Sequence, residues 1–417
     1  MTMTLSPDQQ AAFAALQTAL DSGKREVVLV GPAGTGKSTV LRALLDRLDR
    51  PVVWAAPTGK AAARLAETTG EAAVTLHHLT YRKVGQTLAL PPAAERAWKA
   101  YEQTGKINPP DLDKLDWWAW FCRKQGKQVA TDLVFDEVQL PEGVRGKASN
   151  TIVVVDEASM VGTRLAEDFR SALSGKPWQV LWVGDKAQLT PVKDSWGVDL
   201  DRPDAELTQV HRQSSGSGIL SAATALRNGE RIPDLSSYPD AEIAFGSPEG
   251  CARWYCDSDG DRVVLTWTNK VRAAINLAVR QRLGYTEDVV VGERLVILRN
   301  RAPIYNGETY TVTKVERVYM RWIDKTVTFV TLDNGVRICI DAQYLHTGIQ
   351  THGLPESVVP VDYGYCLSIH KSQGSQWDCV CLAYNWGWLA RRDAEQYARL
   401  TYTAVTRAAK SLLIQQC

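Results

Sequence analysis

A turn of fixed glycine spacing, Gly31, Pro32, Ala33, Gly34, Thr35, Gly36, Lys37 and Ser38, directly follows the apolar run at residues 27–30 and precedes a helical pattern from Thr39 to Leu48. Strand, turn and helix in that order constrain the fold more than any other stretch. The turn can close backbone N–H groups around phosphate oxygens only where a strand delivers it and a helix N-terminus follows. In such a P-loop, Lys37 reaches the β and γ phosphates and the Ser38 hydroxyl ligates Mg²⁺. The chain therefore handles nucleotide phosphates, with ATP and Mg²⁺ as expected cofactors. The loop does not say what the ATP is for.

Further β-rich runs, each followed by a helical stretch, predict an α/β fold with parallel sheet. They fall at residues 26–30, 52–55, 151–155, 179–183, 263–267, 379–383 and 411–415. Two foreign pieces interrupt them. Residues 81–150 begin and end with strand-like alternation around a polar, Trp-rich, partly helical middle, and read as a β-hairpin carrying an insertion. Residues 292–353 show short alternating strands with turn signals at Asn306-Gly307 and Asp333-Asn334-Gly335, the composition of a small all-β barrel. The expected parse is two α/β domains, each with an inserted module: 1–80 with 151–205, and 206–291 with 354–417.

The 417 residues suffice for several cores. Lys plus Arg number 48 and Asp plus Glu 47, so no global basic field announces nucleic acid and any such binding must be local. Eight cysteines form no C-x-x-C pair and read as reduced thiols. No apolar run approaches a membrane span, and the start does not read as a signal peptide. A soluble, cytoplasmic protein without membrane association is the expectation.

An apolar strand ends in two carboxylates at Asp156 and Glu157. There Asp156 can hold the metal and Glu157 can orient or deprotonate an attacking water. A second pair, Asp136-Glu137, lies in the hairpin candidate on an alternating pattern, so the buried run favours the first pair. Gln188, in Gly184-Asp185-Lys-Ala-Gln188, is a candidate sensor of the γ-phosphate, or else a turn-capping amide. The P-loop domain supplies only Lys37 as a nearby cation, which leaves Arg212 and Arg407 as candidates to complete a phosphoryl-transfer site.

Together these segments resemble a superfamily 1 helicase, the 1B or RecD/Dda-like branch. The resemblance takes in residues 56–65, Thr75-Leu-His77-His78, the D-E-A-S-M segment from Asp156, Gly184-Asp185-x-x-Gln188, Thr268-Asn269-Lys270, residues 368–374 and Tyr402-Thr-Ala-Val-Thr-Arg407, in the family's order across almost the whole chain. It implies two RecA-like P-loop NTPase domains, a β-hairpin pin, and a Src-homology-3-like (SH3-like) barrel inserted at 292–353. It also implies arginine fingers at Arg212 and Arg407, and an adenine-reading glutamine at Gln9. Ser6-Pro7-Asp8-Gln9 equally makes a capping box, so Gln9 has two competing uses. Gln376 stands where the family often has a glutamate that meets the ribose, which points to altered nucleotide affinity or selectivity.

The same resemblance lays single-stranded DNA along Pro57, Thr58, His77, Asn269, Ser368 and His370. His77 and His78 also fit a helix start or core pair. Trp196 and Trp267 are candidate stacking platforms that core packing would serve as well. The Trp-rich stretch 92–128 fits a helical core on the pin or an exposed partner patch. The implied activity is ATP-dependent unwinding, 5′ to 3′, by a monomer acting on single strands and junctions with replication, recombination or repair proteins. The alternatives are an RNA helicase of the same superfamily and a nucleotide-switched binding module that separates no strands.

Overall fold

A computed structural model describes residues 5–83, 135–138, 150–191, 194–209, 216–299, 304–320, 325–347 and 358–416. Arg212 and the Trp-rich stretch 92–128 lie outside the described residues. The chain divides into two compact units, residues 1–82, 137–279 and 366–417 in the first, 83–136 and 280–365 in the second.

The first unit holds two parallel sheets. One has six strands in the order Ala73–Thr75, Val52–Ala56, Ile152–Val155, Gln179–Gly184, Glu26–Val30, Ala205–Glu206, every adjacent pair parallel. All four residues of Ile152–Val155 are buried, as expected of a strand covered on both faces. Helices Pro7–Asp21 and Lys37–Leu48 cover one face, where Leu16, Leu20 and Leu44 join Leu29, Val154 and Leu181. Helix Thr163–Ala172 covers the other, with Phe169 edge-on to Trp182 at 5.8 Å. Truncating such a residue to alanine costs roughly 3–5 kcal/mol.

The other sheet runs Cys366–Ser368, Arg262–Thr266, Trp377–Tyr384, Ala408–Gln416, Ala241–Phe245, again parallel throughout. All seven predicted runs are strands, with ends shifted by up to three residues. The strands not anticipated are short, such as Ala73–Thr75 and Cys366–Ser368, or, like Ala241–Phe245, expose residues that an inner strand would bury. Tyr81–Lys83 pairs with Phe135–Val138, the ends of the expected hairpin.

The second unit contains an antiparallel sheet in the order Arg337–Ile340, Lys325–Leu332, Thr309–Met320, Arg294–Ile297, Val361–Tyr363. Gly307 and Gly335 take φ of 88° and 81° at the two anticipated turns, the left-handed region where glycine is unstrained. The last strand lies beyond residue 353, so the sheet extends past the expected insertion. Beside it, buried Arg280 and Glu293 pair at 3.0 Å, and Tyr365 donates to Glu293 at 2.7 Å, which supplies the partners a buried carboxylate requires. Among the described residues no helix is long and apolar enough to cross a membrane.

Candidate active site and nucleic-acid edge

Strand Glu26–Val30 delivers the P-loop to the carboxyl edge of its sheet, where Gly31 N–H donates to the Gly184 carbonyl at 3.1 Å. Gly34 and Gly36 take φ of 83° and 80°. A Cβ on Gly36 would stand 2.3 Å from Gln9 Nε2, so that position needs glycine for both backbone and space. Lys37 Nζ donates to the carbonyls of Gly31 at 2.6 Å and Pro32 at 3.0 Å. Its ammonium is thus held within the loop by acceptors that phosphate oxygens can replace.

A cleft of about 420 Å³ opens above the loop. Ala33, Gly34, Gly36, Lys37, Ser38 and Thr39 line it from below, and Asp156, Glu157 and Gln188 from the neighbouring strand ends. Gly31, Pro32 and Thr35 shape the loop from beneath: Thr35 is fully buried and its hydroxyl donates to the Pro32 carbonyl at 3.0 Å. Burial pushes the Asp156 carboxyl up to about 6, with Glu157 adding to the rise and Lys37 opposing it. Glu157 takes φ 54°, ψ 42°, a left-handed conformation that costs a non-glycine residue about 1–2 kcal/mol. Its N–H donates to Asp156 Oδ1 at 2.8 Å, so the strained turn aims both carboxylates into the cleft. Gln188 is 3% exposed, and its Oε1 accepts no hydrogen bond. A buried acceptor left open in a nucleotide-sized cleft is a place for a donor from outside the protein.

The second sheet closes this cleft with Arg407. Its guanidinium donates to the carbonyls of Thr403 at 3.0 Å and Ser375 at 3.1 Å and to the Thr406 hydroxyl at 3.2 Å. Burial lowers its pKa while Glu157 opposes the fall, and arginine keeps its charge in such surroundings. The expectation that Lys37 is the P-loop domain's only nearby cation fails. Arg64, on helix Gly59–Thr69, lines the same cleft and donates to Gln376 Oε1.

Gln9 makes the anticipated capping box and also a bond to the P-loop that was not anticipated. Its Oε1 accepts from Ser6 N–H at 3.1 Å, completing the capping box, and its Nε2 donates to the Thr35 carbonyl at 3.2 Å. An amide has two donor hydrogens and two acceptor lone pairs. One of each therefore remains toward the cleft that Gln9 lines.

The single-strand candidates stand at the carboxyl edges of both sheets, the position where open α/β sheets take ligands. Thr58 follows strand Val52–Ala56 and caps helix Gly59–Thr69 by accepting from Ala61 N–H at 3.2 Å; Pro57 before it is buried. His77 is exposed at its outer edge, yet partial desolvation lowers its pKa against a hydrogen bond with the Pro57 backbone. Ser368 ends a strand in register with Thr266, His370 is half-buried and its pKa is lowered by that burial, and Asn269 is exposed. Trp267 is half-buried. Trp196 packs on the core of the first sheet, and the Arg399 guanidinium lies 4.6 Å over its ring. A base can stack on that face only if Arg399 moves.

The AAA domain family matches residues 4–243, and the UvrD-like helicase C-terminal domain matches residues 363–414. The chain belongs to the AAA domain family. The chain is 29% identical to the ATP-dependent RecD2 DNA helicase of Deinococcus radiodurans over 93% of its length, but spans only 46% of that protein. It is 24% identical to the ATP-dependent DNA helicase dda of Enterobacteria phage T4, covering 84% of this chain and 71% of dda. The fold is similar to Bacteroides Pif1 solved with single-stranded DNA, at 18% identity and a TM-score of 0.52, covering 99% of this chain and 92% of that one.

One residue behind the cleft escapes sequence reasoning besides Arg64. Tyr402, 2% exposed, donates to Asp185 Oδ2 at 2.6 Å and accepts from Ala33 N–H at 3.3 Å. One hydroxyl of the second sheet thereby joins the P-loop to the turn that carries Gln188. Burial next to Asp185 raises its pKa well above the ordinary tyrosine value, so it stays protonated and a donor. The available signal was its place in the Tyr402-to-Arg407 segment, where only the arginine drew attention.

Proposed function

We propose that the chain is an ATP-dependent DNA helicase that moves 5′ to 3′ along single-stranded DNA and unwinds duplex at junctions. One observation carries the reading: Lys37, Asp156, Glu157 and Gln188 from the first sheet share a cleft with Arg407 from the second. In this reading Lys37 exchanges the Gly31 and Pro32 carbonyls for phosphate oxygens. Gln188 Oε1 accepts from the attacking water and Glu157 takes its proton. Arg407, held by three acceptors of its own domain, meets the γ-phosphate with its geometry already set. Arg64 adds a third cation to Lys37 and Arg407, and Arg212 is retained as a further finger on resemblance alone.

Ser38 and Asp156, two oxygen donors lining one cleft, suit Mg²⁺, which binds through few protein ligands plus substrate phosphates. When bound, the ion neutralises charge on the phosphates during transfer. Gln9 reads the base through its remaining donor and acceptor, and Gln376 faces the nucleotide alongside Arg64.

Because Arg407 and Lys37 belong to different sheets, losing the γ-phosphate weakens the attraction between them, and reopening the cleft shifts the grip on the strand. Thr58 and His77 grip from one sheet, Ser368 and His370 from the other. A cytoplasmic monomer serving replication, recombination or repair fits this reading.

ATP hydrolysis with and without single-stranded DNA, beside unwinding of 5′- and 3′-tailed duplexes, tests it. We expect strong stimulation by DNA, weaker stimulation by RNA of equal length, and unwinding of the 5′-tailed duplex. Faster unwinding of the 3′-tailed duplex overturns the direction, and no stimulation by either nucleic acid overturns the helicase.

A further inference from the structure

The carboxyl edge of the second sheet carries an aromatic pair that the phosphate chemistry does not use. Trp267 directly follows strand Arg262–Thr266, and its ring lies 5.7 Å from that of Trp388 with 37° between the planes. Trp388 is 53% exposed and stands where the chain leaving strand Trp377–Tyr384 enters the short helix Leu389–Arg392. Tryptophan is highly buried on average, so a half-exposed ring held at an angle by a second one offers an open face to a planar partner.

The surroundings identify that partner. Arg391 and Arg392 are both exposed, and neither pairs with a described acidic residue. Thr266 is in register with Ser368, so the pair adjoins the edge that bears Ser368 and His370. Aromatic faces beside unpaired cations hold a single strand independently of its sequence. A duplex conceals its base faces.

We propose that Trp388, backed by Trp267, is a base-stacking platform for single-stranded DNA, with Arg391 and Arg392 meeting the adjacent phosphates. The proposal rests on the single-strand reading above and adds to it a contact from outside the motif segments.

The test measures affinity for an oligothymidine by fluorescence anisotropy and repeats it on a strand of the same length with abasic sites. Trp388→Ala should weaken binding to oligothymidine about 5- to 150-fold, the range of stacking on one aromatic residue, with little further loss on the abasic strand. Trp388→Phe should restore most of the affinity. Replacing both Arg391 and Arg392 by alanine should flatten the log–log salt dependence by about 1.4, for two phosphate contacts.

Wild-type affinity in Trp388→Ala overturns the platform, as does an equal loss on both strands, which marks a structural role. An unfolding midpoint lowered equally in the alanine and phenylalanine variants, with equal binding loss, also counts against it. If wild-type protein binds neither strand, the single-strand reading itself falls and the platform with it.

Discussion

At the cleft, the carboxyl edge of the P-loop sheet is buried and bonded to its surroundings, whereas the outer edge of the second sheet stands in solvent. Asp185 is 2% exposed and Gln188 3%, and Asp185 accepts from Ala187 N–H and from the Tyr402 hydroxyl; Trp388 is 53% exposed, and Arg391 and Arg392 face water. The two sheets share an architecture, so the difference lies in what each edge must do. Charges that stabilise phosphoryl transfer gain from burial and fixed geometry, because low dielectric strengthens them and nothing has to reorganise. A strand that slips past needs contacts easily exchanged, which stacking and exposed cations provide.

The largest test of this contrast is at the buried edge. Glu157→Gln should lower ATP turnover about 10²- to 10⁴-fold, the usual share of a general base, while nucleotide binding and strand binding persist. Lys37→Ala should abolish measurable hydrolysis as well. Steady-state turnover beside nucleotide binding checks both, and normal turnover in Glu157→Gln removes Glu157 from the base role.

Next in size is the hydroxyl that joins the sheets. Tyr402→Phe leaves Asp185 Oδ2 and Ala33 N–H without their partner, a loss of about 1–3 kcal/mol when the groups stay buried. We expect a lower unfolding midpoint together with turnover reduced more than nucleotide affinity, since the hydroxyl fixes the relation between P-loop and Gln188 turn. An unchanged midpoint and turnover would show that this edge tolerates a missing bond as readily as the solvent-facing one.

The buried edge was also the more legible in sequence. Asp156, Glu157 and Gln188 end apolar runs that can only be inner strands, so local pattern and polar punctuation find them together. Tyr402 and Asp185 meet across 217 residues, and no local period reports which residue of one sheet faces which of the other. Arg64 was missed for a related reason. Ala61 and Ala62 are buried while Arg64 keeps partial exposure, which reads as an ordinary helix flank until Gly374 of the second sheet is seen to approach, its virtual Cβ only 2.9 Å from Ala61 Cβ. The pairing of Trp388 with Trp267 was illegible because a surface contact of aromatic rings leaves no periodic trace.

Gln376→Glu probes a smaller effect inside the cleft. Arg64 already donates to Gln376 Oε1, and a carboxylate there turns that charge-assisted bond into an ion pair that can be bidentate. Arg64 is then held away from the phosphates and the nucleotide Michaelis constants should change, by about tenfold at most, with turnover less affected. Constants unchanged for every nucleotide would place position 376 outside nucleotide selection.

The smallest expected effect belongs to His370, half-buried at the second sheet's edge, where burial lowers its pKa below the ordinary 6.5. The sign follows from linkage: below about 6.5 the unfolded chain takes up a proton that the folded protein resists. The stability that depends on a neutral imidazole is therefore complete above about pH 6.5 and declines as pH falls toward the folded-state pKa. His370→Gln should flatten this part of the stability profile between pH 7.5 and 5, by about 2 °C or less in unfolding midpoint. Because the ring is already neutral at pH 7, single-strand affinity should stay level from pH 7 to 8 while still falling with salt. A fall in affinity across that pH range, abolished in His370→Gln, would instead make His370 a charged phosphate ligand and give the exposed edge an electrostatic grip like that of the cleft.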